Sequence, residues 1–190
     1  MKYIDKLSFY KQTFDLSDEE LSKMVKTLPA LLSYNTESVS SKIEFYKQTF
    51  DLSDGELSKI VKTSPALLSY DIESVKIKVD FYEQTLNLSD KELSKMVKKF
   101  PSLLDFDTES DSPTSVKSKI KFYEQTFNLS DEELSKIVKT LPTLLSYNTE
   151  SVSRKIEFYE QTFNLKPEEL SKMVKNLPAL LELDTSPAPR

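Results

Sequence analysis

Apolar residues recur along this chain at helical spacing and are interrupted at regular places by short polar runs. Between Ser115 and Glu150, Val116, Ile120, Tyr123 and Phe127 fall at i, i+4, i+7 and i+11, with Phe122 beside them. That spacing places them on one face of a first helix, A. Asn128 follows, and Asp15, Asp51, Asn87 and Asn164 hold the same place in the other copies. The chain has a single Gly, so these Asn and Asp residues are predicted to take the left-handed conformation that commonly ends a helix.

A second helix, B, opens at Leu129-Ser130-Asp131-Glu132-Glu133-Leu134. Ser130 and Glu133 have the spacing of a capping box, and Leu129 and Leu134 that of a hydrophobic staple. Ser17/Glu20, Ser53/Glu56 and Ser89/Glu92 repeat the box, whereas the last copy has Lys166 followed by Pro167, which suits the first helical position. Leu134, Ile137, Val138 and Leu141 form the buried stripe of helix B. Pro142 ends it, because the residue before a proline is pushed out of the α region. Pro142-Thr143-Leu144-Leu145 then allows one 3₁₀ turn that packs both leucines.

The proline marker recurs at Pro29, Pro65, Pro101, Pro142 and Pro178, with separations of 36, 36, 41 and 36 residues. The repeats are read as 2–37, 38–73, 74–109, 115–150 and 151–186, with an insertion at 111–115 that lengthens one inter-repeat loop. One such unit cannot bury its apolar face alone, so the units must stack. The prediction is an all-α solenoid of five helix–helix–3₁₀ repeats forming one domain over residues 1–186, with 187–190 a disordered tail. Tyr3, Ile4 and Leu7 leave the first repeat apolar where a cap would be polar, which makes self-association through apolar ends an expected property.

Composition narrows the function. The chain has no Cys and no His, so disulfides, thiolate metal sites and the usual nucleophile–base pairs are excluded. No enzyme activity, metal or cofactor is expected. The clusters Asp18-Glu19-Glu20, Asp131-Glu132-Glu133 and Glu168-Glu169 lie in first turns of helix B, where negative charge complements the helix dipole. No apolar run approaches a membrane span, and the opening residues read as helix A rather than as a signal or transit peptide. A soluble protein of a reducing, intracellular compartment is the expectation. The Phe-Tyr pairs of helix A, and Tyr34, Tyr70 and Tyr147, read as packing residues whose hydroxyls reach solvent.

The lysines are the strongest binding signal. Helix B carries Lys23, Lys59, Lys95, Lys136 and Lys172 in one column and Lys26, Lys62, Lys98, Lys139 and Lys175 in a second. Helix A adds Lys6, Lys42, Lys78, Lys119 and Lys155. Cations repeating once per unit suit a phosphate backbone. The structural alternative is dipole capping and i, i+4 pairing, as in Glu19–Lys23 and Glu132–Lys136.

The pattern Phe-(Asp/Asn)-Leu-Ser-x-x-Glu-Leu-Ser-Lys-(Ile/Met)-Val-Lys-x-x-Pro-x-Leu-Leu resembles the repeat of the mitochondrial transcription termination factor family, over nearly the whole chain. The resemblance implies a left-handed superhelix whose concave face holds double-stranded nucleic acid, and a role in regulating gene expression. Net charge is −5, against the basic character usual in that family, so two partner classes stand: double-stranded nucleic acid bound weakly through the ten helix B lysines, or a protein partner of an interaction scaffold.

Overall fold

The computed structural model describes residues 3–184. Among them the helices are α1 (Tyr3–Thr13), α2 (Asp18–Thr27), α3 (Thr36–Thr49), α4 (Asp54–Thr63), α5 (Ile72–Leu86), α6 (Asp90–Lys99), α7 (Val116–Phe127), α8 (Asp131–Thr140), α9 (Thr149–Phe163) and α10 (Pro167–Asn176). A 3₁₀ turn follows every even-numbered helix: Pro29–Leu32, Pro65–Ser69, Pro101–Asp105, Pro142–Ser146 and Pro178–Glu182. The architecture is an all-α repeat fold of the solenoid class. The chain divides into two compact units at Asp105/Phe106, the first holding α1–α6 and the second α7–α10. The expected tail, 187–190, lies outside the described residues.

The punctuation of each repeat follows its sequence. Asp15, Asp51, Asn87, Asn128 and Asn164 all have φ between 46° and 50°, the left-handed region in which their short polar side chains are tolerated. Ser17, Ser53 and Ser130 accept from the backbone N–H of Glu20, Glu56 and Glu133, and those glutamates accept in return from the serine N–H. At Lys166 only the return arm forms, from its N–H to Glu169 at 2.8 Å, since a lysine side chain has no acceptor. Leu28, Ser64, Phe100, Leu141 and Leu177 precede the prolines with ψ of 73° to 78°, outside the helical region.

The predicted core is present: Val116, Ile120, Tyr123, Phe127, Leu134, Ile137, Val138, Leu141, Leu144 and Leu145 are all buried. The helix A tyrosines depart from expectation. Tyr10, Tyr46, Tyr82, Tyr123 and Tyr159 are buried, and their hydroxyls donate inward to the carbonyls of Leu31, Leu67, Leu103, Leu144 and Leu180 at 2.8–3.0 Å. A buried hydroxyl must find an acceptor, and a carbonyl of the 3₁₀ turn has a second lone pair with which to accept it. The column therefore stitches helix A to the turn that closes the same repeat.

Within each unit, successive repeats share a recurring serine-to-carbonyl contact. Ser58 and Ser94 donate to the carbonyls of Phe14 and Phe50, and Ser171 to that of Phe127, each at 2.5 Å. Small serines in LSK triplets let helix B approach the end of the preceding helix A and satisfy its carbonyl.

The insertion is absorbed locally. In three repeats Val39, Val75 and Val152 donate their N–H to Asn35, Asp71 and Asn148, four residues earlier, at 3.0–3.2 Å. Val116 makes the same bond to Asp107, nine residues earlier, at 2.8 Å. Asp107 still accepts from the N–H groups of Glu109 and Ser110, but the helix restarts only at Ser115, whose side chain caps Ser118. The extra residues are looped out between the two ends of a retained bond.

Candidate functional site

The three lysine columns have three different environments. The helix A lysines are structural: Lys6, Lys42, Lys78, Lys119 and Lys155 donate to the carbonyls of Leu32, Leu68, Leu104, Leu145 and Leu181 at 2.6–3.0 Å. Four of these ammoniums also lie over an aromatic ring, of Tyr34, Tyr70, Phe106 or Tyr147, at 5.2–5.7 Å. Burial pushes Lys42 and Lys119 below the ordinary lysine value. Lys119 is the most enclosed, in a cleft of about 340 Å³ walled by Pro113 and Thr114 of the insertion loop and by Asn148 to Glu150. Helix A therefore does not offer the auxiliary phosphate contacts that its lysine spacing suggests.

The second helix B column divides further. Lys62 donates to the carbonyl of Asp15 at 3.0 Å and pairs with Glu20 at 3.1 Å. Lys98 does the same with Asp51 and Glu56, and Lys175 with Asn128 and Glu133. Each bridges to the preceding repeat, neutralising the C-terminal end of its helix A and the capping glutamate of its helix B. Lys139 holds the matching place in α8 and is half-buried, whereas Lys26 in α2 is exposed.

The capping glutamates are held below the ordinary carboxylate value, first by the serine N–H and then by the lysine of the next repeat. This applies to Glu20 and Glu133, and Glu56 is lowered to about 2. A carboxylate depressed in the folded state contributes stability that is complete above its unfolded value, near 4.3, and is lost as pH falls through the folded value. The urea midpoint should therefore hold from pH 7 to about pH 5 and decline toward pH 2. In Glu56→Gln the acid-dependent part of that decline should shrink; an unchanged profile would show that the depressed glutamate does not govern acid stability.

The first helix B column faces water. Lys23, Lys59 and Lys95 in the first unit, and Lys136 and Lys172 in the second, are exposed. Among the described residues none of the five makes an ion pair, and the anticipated Glu19–Lys23 and Glu132–Lys136 pairs do not form. In the second unit, Lys136 and Lys172 line a cleft of about 310 Å³ between α8 and α10, with Ile137 and Asn176 in its wall and the Lys175–Glu133 pair alongside. The cleft presents ammonium donors to anything that enters.

Among the described residues no group of three acidic side chains is placed to hold a metal ion, and no helix is long and apolar enough to cross a membrane. The mTERF family model matches residues 2–126 and again residues 106–189. No curated protein matches the chain.

Proposed function

We propose that this chain, which belongs to the mTERF family, is a non-enzymatic nucleic-acid-binding repeat protein acting in transcription or another step of gene expression. The supporting observation is the exposed lysines Lys23, Lys59 and Lys95 of the first unit and Lys136 and Lys172 of the second, free of ion pairs among the described residues while Lys62, Lys98 and Lys175 are engaged by the preceding repeat. Uncompensated cations displayed once per repeat are what a phosphate backbone requires. The chain has two arginines, Arg154 and Arg190, so bidentate reading of base edges is scarce and sequence preference should be weak.

Duplex DNA and RNA titrations at several salt concentrations test this reading. With about five phosphates neutralised, log affinity should fall with log salt at a slope of roughly −4 to −5. In Lys59→Glu/Lys95→Glu/Lys136→Glu the slope should lose about three units and binding at physiological salt should vanish. Helical content should stay unchanged, since these side chains support nothing. Absence of binding at low salt would overturn the proposal and favour a protein-interaction scaffold, which the net charge of −5 also suits.

A further inference from the structure

Repeat 1 and repeat 5 carry the two halves of the contact that joins repeats inside each unit. The donor half belongs to helix B. Leu57, Ser58 and Val61 in α4, and Leu170, Ser171 and Val174 in α10, are buried against a preceding repeat, with Lys62 and Lys175 bridging to it. In α2 the equivalent Leu21 and Val25 are half-exposed and Ser22 and Lys26 are exposed.

The acceptor half belongs to the end of helix A and the start of helix B. Phe127, at the end of α7, is 2% exposed beneath repeat 5, while Phe163 at the end of α9 is 60% exposed. Leu141 is 9% exposed and its counterpart Leu177 55%. Met173 is also exposed, whereas Met24, Ile60, Met96 and Ile137 at the same position are buried. Glu169, the counterpart of Glu20 and Glu133, is exposed and bonded to its own cap but, among the described residues, to no lysine.

We propose that the repeat 5 face of one copy receives the repeat 1 face of a second copy, so that the chain associates end to end. Ser22 would donate to the Phe163 carbonyl, and Lys26 to the Asn164 carbonyl and the Glu169 carboxylate, as Ser171 and Lys175 do with Phe127, Asn128 and Glu133. The apolar patch and the opposite charges identify the occupant, because the Ser22 and Lys26 donors on one face match the Phe163, Asn164 and Glu169 acceptors on the other. Such a contact joins two different surfaces, so it propagates into chains or rings rather than closing as a two-fold dimer.

Sedimentation velocity of the full chain across a wide concentration range tests the pairing. Weight-average mass should rise above the 21.9 kDa of the monomer. Lys26→Glu and Glu169→Lys should each move the association to at least roughly tenfold higher concentration, by setting like charges face to face. The double variant Lys26→Glu/Glu169→Lys should restore it, as should an equimolar mixture of the two single variants. Phe163→Asp, at an exposed side chain outside the capping network, should abolish it while leaving the circular dichroism unchanged. A monomer at every concentration, or failure of the double variant to recover what either single variant loses, would overturn the proposal.

Discussion

Replacing Tyr82 with alanine should lower the unfolding free energy by about 3–5 kcal/mol, the range for removing a buried aromatic side chain from a packed core. Tyr82 is fully buried, sits edge-on to Phe81 at 5.6 Å, and donates to the Leu103 carbonyl at 2.8 Å. Tyr82→Phe separates the two contributions. It keeps the ring and removes the hydroxyl and its hydrogen bond to the Leu103 carbonyl, and should cost about 0.5–1.5 kcal/mol. The measurement is urea unfolding followed by circular dichroism. Equal losses in the two variants would mean that the hydroxyl carries nearly all of the effect. No loss in Tyr82→Phe would mean that the inward hydrogen bond contributes nothing net.

Alkaline unfolding should be steep, because the same column resists ionisation. Burial pushes Tyr10 up to about 12, and raises Tyr46, Tyr82, Tyr123 and Tyr159 above their ordinary value. A tyrosine with a raised folded value contributes its full stability below the unfolded value near 10. That stability is lost as pH climbs toward and through the folded value, since the unfolded chain ionises first. Tyr10 alone should forfeit at most about 2 kcal/mol by pH 12 once residual screening is allowed for. The column acts in the same direction in every repeat, so stability should collapse between about pH 10 and pH 12. Tyrosinate absorbance and helical signal, followed together, check this. Most of the absorbance rise should coincide with loss of helix. Ionisation of the whole set near pH 10 with helix intact would contradict the buried hydrogen bonds.

Much of the fold is legible without coordinates because its determinants are local. A left-handed helix end needs only an Asn or Asp, a capping box only a Ser and a Glu three residues apart, and a stop only a proline. Repetition of these signals at fixed spacing specifies stacking, because one unit cannot cover its own apolar face. The insertion shows where spacing falls short. Five extra residues predict a longer loop, yet only the folded chain shows Val116 returning to Asp107 and Lys119 enclosed behind that loop.

The candidate site was legible as a residue type and a period, but not as an environment. Lys59, Lys62 and Lys42 belong to one repeat and recur with equal regularity along the chain. Periodicity assigns each to a face of a helix, and it is silent about what that face meets. Lys42 meets the carbonyl end of its own 3₁₀ turn, Lys62 meets Asp15 and Glu20 of the repeat before, and Lys59 meets water. The tyrosine hydroxyls follow the same rule. Helical spacing put Tyr46 in the core, and only the arrival of the Leu67 carbonyl at 2.8 Å turned its hydroxyl inward. The repeat and its punctuation are encoded locally, since those energies act within a few residues. Which polar groups are spent on the fold and which remain for a partner depends on packing, because those energies involve groups tens of residues away that stacking alone brings within hydrogen-bond reach.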